Sequence, residues 1–232
     1  MNNSDFNIID AVAEHSCTKE RILDAAEKLF AVKGYHNTSL REITSTARVN
    51  LASVNYHFGS KEKLLKSVFE RRLIPLNDLR FRLLDEVEEK SSSENRLPGV
   101  REILEAFVRP TLTHIEAGEG WREFSMLVGR ALNDPDNIQE EPFLELVIPL
   151  FRRMFDLLSK ALPDVPGKIV FLRLYFSLGV VQQLISGWKR EDRFEHMPEM
   201  KEHYTSDIEF IIDVTRDFIE AGTILPGIRP VP

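Results

Sequence analysis

Residues 39–65 read SLREITSTARVNLASVNYHFGSKEKLL. Two short helical periods sit side by side in this stretch. Ser39 stands where an N-cap belongs, and Glu42, three residues on, completes a capping box. Leu40, Ile43 and Ala47 share one face of the helix that follows. After the turn Ala47-Arg48-Val49-Asn50, Asn50 caps a second helix running from about Leu51 to His57. Two helices that cross closely need a small residue at the crossing, which Ala47 supplies, and an apolar plug in the turn, which Val49 supplies. Val54 turns inward, while Ala52, Ser53 and Asn55 turn outward. Such a small, polar outer face fits a DNA major groove about 12 Å wide. The pair has the form of a helix-turn-helix.

Upstream, Ile22, Ala25, Ala26, Leu29 and Phe30 recur at spacings of three and four and predict a helix. Thr18 is its expected N-cap and Gly34 its terminator. Residues 1–17 lack a clear period and are expected to form a flexible arm. Downstream, one long helix is expected from Lys61 to Lys90, burying Leu64, Leu65, Val68 and Phe69 and kinked or broken at Pro75. Ser91 to Gly99 reads as a linker. Five more helices are expected at about 100–117, 120–133, 138–162, 166–191 and 205–221, and no strand. The chain reads as all-α. Its expected division is an arm (1–17), a helix-turn-helix domain (18–64) and a larger helical ligand-binding and dimerisation domain (65–232).

Net charge is −7, but it is unevenly spread. From Thr18 to Arg72 there are 11 Lys and Arg against 6 Asp and Glu, a balance of +5. From Leu73 onward the count is 19 against 28, a balance of −9. A basic module on an acidic body suits nucleic-acid docking, because only the docking face must be positive. No G-x-S-x-G elbow, Gly-rich phosphate loop or H-E-x-x-H pair is present, so no enzyme is expected. The six His and one Cys are scattered, so no metal and no cofactor is expected. The single Cys17 fits a reducing cytoplasm. The N-terminus does not look like a signal peptide. The longest apolar stretch, Ile169 to Ile185, is interrupted by Arg173 and Gln182-Gln183, and no membrane span is expected.

Residues Arg21 to Leu65 resemble the DNA-binding domain of TetR-family repressors. Tyr56, His57 and Phe58, followed by Lys61, Glu62 and Leu64, fall on the family's most specific signature. The resemblance implies a regulator that binds a double-stranded, palindromic DNA operator as a homodimer and is released by a small molecule. It implies phosphate contacts from Tyr56, His57 and Lys61, with Ser39 at a helix N-terminus. For His57, capping of the second short helix stays open, as does plain solvation for Lys61. Arg41 falls at a position that reaches a guanine edge, and Asn50, Ala52, Ser53 and Asn55 would lie in the groove. Two residues depart from the family pattern. Arg48 replaces the usual turn Gly, at a cost on the order of 1 kcal/mol if φ is positive there, and offers a phosphate contact in return. Asn55 replaces a commonly aromatic residue with an amide suited to adenine.

Two late helices have broad apolar faces: Leu174, Leu178, Val181, Ile185 and Trp188 on one, and Ile208, Ile211, Ile212, Thr215, Phe218 and Ile219 on the other. In resembling proteins the corresponding helices pair with their twofold mates, and these residues are the expected dimer interface. Helices from about residue 120 onward carry Phe124, Leu127, Phe151, Phe155 and Phe176 together with Arg122, Arg130 and Arg173. A buried arginine needs an anionic partner, here either a neighbouring Glu or a ligand's acidic group. These eight residues are the expected ligand set. The stretch VNLASVNYHFGSKEKLLKSVFERRLIPLN, with MLVGRAL further on, also resembles the fatty-acid-responsive PsrA-like group, which implies a fatty acid or acyl-CoA effector. Aromatic compounds or drugs as effectors, and activation rather than repression, stay open.

Overall fold

The chain was described from a computed structural model, covering residues 3–117, 120–133, 140–187 and 207–225. Among the described residues there are nine helices and no strand. They are α1 (Asn3–Lys33), α2 (Leu40–Ala47), α3 (Leu51–Phe58), α4 (Lys61–Ser93), α5 (Val100–Ala117), α6 (Trp121–Asn133), α7 (Glu140–Ala161), α8 (Gly167–Gly187) and α9 (Ile208–Ile224).

The expected boundaries hold to within a few residues along most of the chain, and the differences have local causes. Helix α1 starts at Asn3, so Thr18 is an interior residue rather than a cap. Residues 4–17 contain no Gly or Pro to interrupt it. At Pro75 there is no break: α4 is continuous over 33 residues. Proline removes one backbone donor, and the turns on either side carry that loss. The linker also starts later than expected. The hydroxyls of Ser91 and Ser92 donate to the Glu88 carbonyl, and that of Ser93 to the Lys90 carbonyl, so these serines belong to the last turn of α4.

The helices gather into two compact units, Met1–Ile74 with Glu119–Leu146, and Pro75–Gly118 with Val147–Pro232. In the first unit α1 packs on α2, α3 and α6. Its interior includes Ile22, Ala26, Phe30, Ile43, Val54, Leu64, Leu65, Val68, Phe69 and Leu127. Phe69 meets Phe124 and Phe143 at ring-centroid separations of 6.2 and 5.7 Å. A charge cluster is also buried there. Glu27, 2% exposed, accepts from Arg71 at 2.9 Å and from Arg72 at 2.8 and 3.0 Å. Arg71 reaches Asp24 as well, at 2.7 Å. Gly120 has φ +87°, and a Cβ there would sit 2.3 Å from the Arg72 guanidinium, so this cluster needs a glycine beside it.

In the second unit α9 packs against α5 and α8. Leu84, Ile103, Leu104, Val108, Leu112, Met154, Leu157, Val170, Leu174 and Ile212 form the core. Ion pairs tie α9 to α5: Arg101 to Asp217 and Glu220, Arg109 to Glu209, and Arg216 to Glu105. On α8, Gly167–Ile185 is long and apolar enough to cross a membrane, and 22% of it is buried in the fold. That measure rests on length and composition only, and one such helix does not indicate a membrane protein.

Candidate nucleic-acid interface

The pair α2 and α3 is fixed by capping at both starts. Ser39 is extended, with φ −96° and ψ 153°, and its hydroxyl accepts from the Glu42 N–H at 3.2 Å. The Glu42 carboxylate accepts in turn from the Ser39 N–H at 2.8 Å, closing the capping box. Lys33, 2.7 Å from Glu42, is the largest of the influences that pull that carboxyl's pKa down to about 2, followed by Ser39. At α3, Asn50 Oδ1 accepts from the Ser53 N–H at 2.8 Å and from its hydroxyl at 3.0 Å. The oxygens of Ser39 and Asn50 therefore act first as caps. The Asn50 and Ser53 side chains also hold one another.

The turn between the helices is left-handed at Arg48, with φ 54° and ψ 49°. This is the positive φ that makes a non-glycine residue costly. Arg21, from α1, donates to the carbonyls of Ala47 and of Arg48, the latter at 2.8 Å. It clamps the turn from 27 residues upstream, and no local sequence signal marks it. Helix α3 ends at Gly59, φ 78°, whose N–H donates to the Asn55 carbonyl at 3.0 Å.

This frame decides which side of α3 faces out. Val54 is fully buried and Phe58 nearly so. Arg41, Arg48, Asn50, Ala52, Asn55 and Tyr56 are exposed together with Ser39, while Ser53, His57 and Lys61 are half-buried. The Tyr56 ring is 74% exposed, held edge-on to His57 at 5.2 Å. Lys61 is placed rather than free: its ammonium lies 4.0 Å from the centroid of the Tyr35 ring. The Tyr35 hydroxyl donates to Glu62 at 2.7 Å, which lowers the Glu62 pKa to about 2. Burial lowers the Lys61 pKa, against the opposing charges of Glu62 and Glu42. The ten residues expected at the nucleic acid are thus gathered on and around α2 and α3. Tyr35 and Arg21 are supporting residues that the sequence did not single out.

The eight residues expected around a ligand divide between the two units. Phe124 and Leu127 are core residues of the first unit, and Arg122 is exposed there. Arg130 donates to the carbonyls of Ala31 and Val32 at 2.9 and 3.0 Å, capping the end of α1. In the second unit Phe151 and Phe155 are half-buried against the core, and Phe176 is 63% exposed. Arg173 donates to the Thr223 and Leu225 carbonyls at 2.7 and 2.6 Å, capping the end of α9. Among the described residues, Arg130 and Arg173 are held by carbonyls at helix ends, where a cation is favoured.

The expected dimer interface divides as well. Leu174, Val181, Ile212, Thr215 and Ile219 are buried within the same chain, and Leu178, Ile185, Ile208 and Ile211 are half-buried. Phe218 is 67% exposed, and Trp188 lies outside the described residues. The centre of each apolar stripe serves the chain's own core, and its flank remains outside. That flank consists of Phe171, Leu172, Tyr175 and Phe176 on α8 and Phe210, Val214 and Phe218 on α9. Among the described residues, no three His, Cys, Asp or Glu side chains are grouped to hold a metal ion.

Comparison with known proteins places this geometry. A family model described as "Bacterial regulatory proteins, tetR family" matches residues 22–68. A second, "Tetracyclin repressor-like, C-terminal domain", matches residues 105–222. The chain is 43% identical over 49 residues to the probable HTH-type transcriptional regulator YttP of Bacillus subtilis, covering 21% of this chain and 24% of that one. It is 36% identical over 66 residues to the HTH-type transcriptional repressor NicS of Pseudomonas putida, covering 28% of this chain and 31% of that one. These matches thus span about a quarter to a third of the curated relatives' lengths. Over the whole fold, the transcriptional regulator FadR from Bacillus subtilis, solved in complex with stearoyl-CoA, superposes with a TM-score of 0.61. That superposition covers 88% of this chain and 98% of that one, at 15% identity. The two family models between them take in the helix-turn-helix and most of the second unit, and they describe regulators, not enzymes. The chain belongs to the TetR family of transcriptional regulators.

Proposed function

We propose that the protein is a cytoplasmic, ligand-responsive transcriptional repressor that binds a palindromic operator as a homodimer and leaves it when a small apolar effector binds. The observation that carries this is the outer face of α3. Ala52, Asn55 and Tyr56 are exposed on it while Val54 and Phe58 lock the helix in place. Residues 18–64 form the reading head, and 65–232 serve ligand binding and dimerisation. Asn55 and Arg41 reach base edges, and Tyr56, His57, Lys61 and Arg48 contact phosphates. Ser39 and Asn50 present helix N-termini to the backbone while acting as caps.

The exposed aromatic flank of α8 and α9 supports the dimer. Apolar patches rimmed by polar residues mark association surfaces, and a second copy would cover the face that makes α8 resemble a membrane span. One helix-turn-helix seldom supplies enough affinity alone, and a pair matched to two half-sites solves this geometrically. A fatty acid or acyl-CoA is the favoured effector. The resemblance to fatty-acid-responsive repressors supports it, as does the likeness in fold to a regulator solved with stearoyl-CoA. The test is a gel shift against the gene's own upstream region and against operators selected from random DNA. The expected result is a two-half-site complex that dissociates on adding C8 to C18 acids or their CoA esters. Failure to select any operator would overturn the reading.

A further inference from the structure

Arg80 lies on α4 within the second unit, and only 5% of it is exposed. Its Nη1 donates to Asn77 Oδ1 at 2.9 Å, and its Nη2 donates to the Thr111 hydroxyl. Thr111 gives its own proton to the Phe107 carbonyl, so towards Arg80 it is an acceptor only. The Phe107 ring packs on the guanidinium, with its centroid 4.7 Å away. Nε is buried with no hydrogen-bond partner. Each of these neighbours is neutral, and burial alone pulls the Arg80 pKa down to about 9. Leu76 and Leu84, one turn either way on α4, are buried, as are Leu104 and Leu112 on α5.

Elsewhere in the same unit arginine is treated differently. Arg153 faces Asp85 and Glu88, Arg109 faces Glu105 and Glu209, and Arg216 faces Glu105, Asp213 and Asp217. These pairs are more exposed than Arg80, yet each is neutralised. A buried cation without an anion is unfavourable, and a position needing only packing is better served by Leu or Met. Arg80 thus combines a missing anion with one Nε–H that has no acceptor, beside a planar fork of the kind that binds carboxylates bidentately.

We infer that Arg80 is the residue that recognises the effector's acidic group, and that the effector is an amphiphilic monocarboxylate bound as the free acid anion. This rests on the effector reading above and narrows it. A carboxylate takes the orphaned Nε proton and supplies the missing charge. Asn77 and Thr111 position the fork. A thioester carbonyl is neutral and would leave the guanidinium uncompensated, so the free acid is preferred to its CoA ester.

The test uses the full-length protein, calorimetric binding and operator release. The probes are decanoate, laurate and palmitate, their methyl esters and their CoA thioesters, on wild type, Arg80→Met and Thr111→Val. For wild type the acid should bind about tenfold or more tighter than its methyl ester, as expected of a hydrogen bond to a charged group. Arg80→Met should lose that preference while melting no lower than wild type, because it removes an uncompensated charge. Thr111→Val should reduce the preference, and together with the wild-type ratio it decides the matter if Arg80→Met does not fold. Equal binding of acid and ester by wild type, or an unchanged preference in Arg80→Met, would overturn the inference. If esters and thioesters release the operator as well as the acids do, the effector reading stands and the Arg80 assignment falls. If no series binds, both fall together.

Discussion

The two units handle charge and exposed surface in opposite ways. In the first, two arginines converge on one buried glutamate, Glu27, and the exposed face of α3 is small and polar. In the second, one arginine is buried with no carboxylate, and the exposed flanks of α8 and α9 are aromatic. A unit whose interior is neutralised by its own side chains is complete, and its polar face is free to read something else. A unit with an unmatched cation inside and bare aromatics outside is incomplete in two respects. We read these as places for an anion and for a second copy.

The largest effect should come from making the first unit resemble the second. Glu27→Gln removes the buried carboxylate that Arg71 and Arg72 share, leaving Arg71 with the exposed Asp24 and Glu20. Breaking one side of a buried charge cluster costs about 3–5 kcal/mol, so a urea melt should show the loss of most of the unit's stability. A melt within about 1 kcal/mol of wild type would mean that the cluster is as dispensable as a surface ion pair.

The next effect converts the second unit's outer face to that of the first. Tyr175→Asp combined with Phe218→Asp should yield monomers in sedimentation and abolish tight operator binding. Buried aromatic anchors at an interface are worth about 2 kcal/mol or more each. Ile212→Asp, by contrast, should unfold the unit, because Ile212 is interior. A folded dimer surviving the aromatic double substitution would move the interface elsewhere.

A smaller effect sits in the turn. Arg48→Gly relieves a side chain held at φ 54° and should raise the melting temperature by an amount corresponding to about 1 kcal/mol. It should weaken operator binding at low salt, since a phosphate contact is lost. Unchanged salt dependence would remove Arg48 from the DNA contacts.

Much of the first unit was legible in sequence because its determinants are local. Ser39 with Glu42, Asn50 with Ser53, and Gly34 at the end of α1 act within four residues of themselves. The residues that brace the site were not legible, because their partners are distant in sequence. Arg21 clamps Arg48 from 27 positions away, Tyr35 meets Glu62 at the same separation, and Glu27 pairs with arginines 44 and 45 positions on. The sequence marked three arginines for a ligand, Arg122 and Arg130 in the first unit and Arg173 in the second. Two of them cap helix ends, and the buried one, Arg80, sits in a pattern (LRFRLL) that reads as ordinary helix surface. Helical periodicity shows that a stripe is apolar. It does not show which edge of the stripe the chain keeps for itself, and so Leu174, Val181 and Ile212 proved to be core while Tyr175 remained outside.

The most direct test of α3 as the reading helix compares two substitutions on its outer face against an operator selected with the wild-type protein. Asn55 and Tyr56 are adjacent and both exposed, but they have different roles here. Tyr56→Phe removes one phosphate hydrogen bond and should weaken binding to every sequence by a similar factor. Asn55→Ala should instead relax preference at a single base pair in each half-site by about 1–3 kcal/mol, with little change elsewhere. Binding measured across all single-base variants of the operator separates the two. An Asn55→Ala profile identical in shape to wild type would contradict the placement of α3 in the groove.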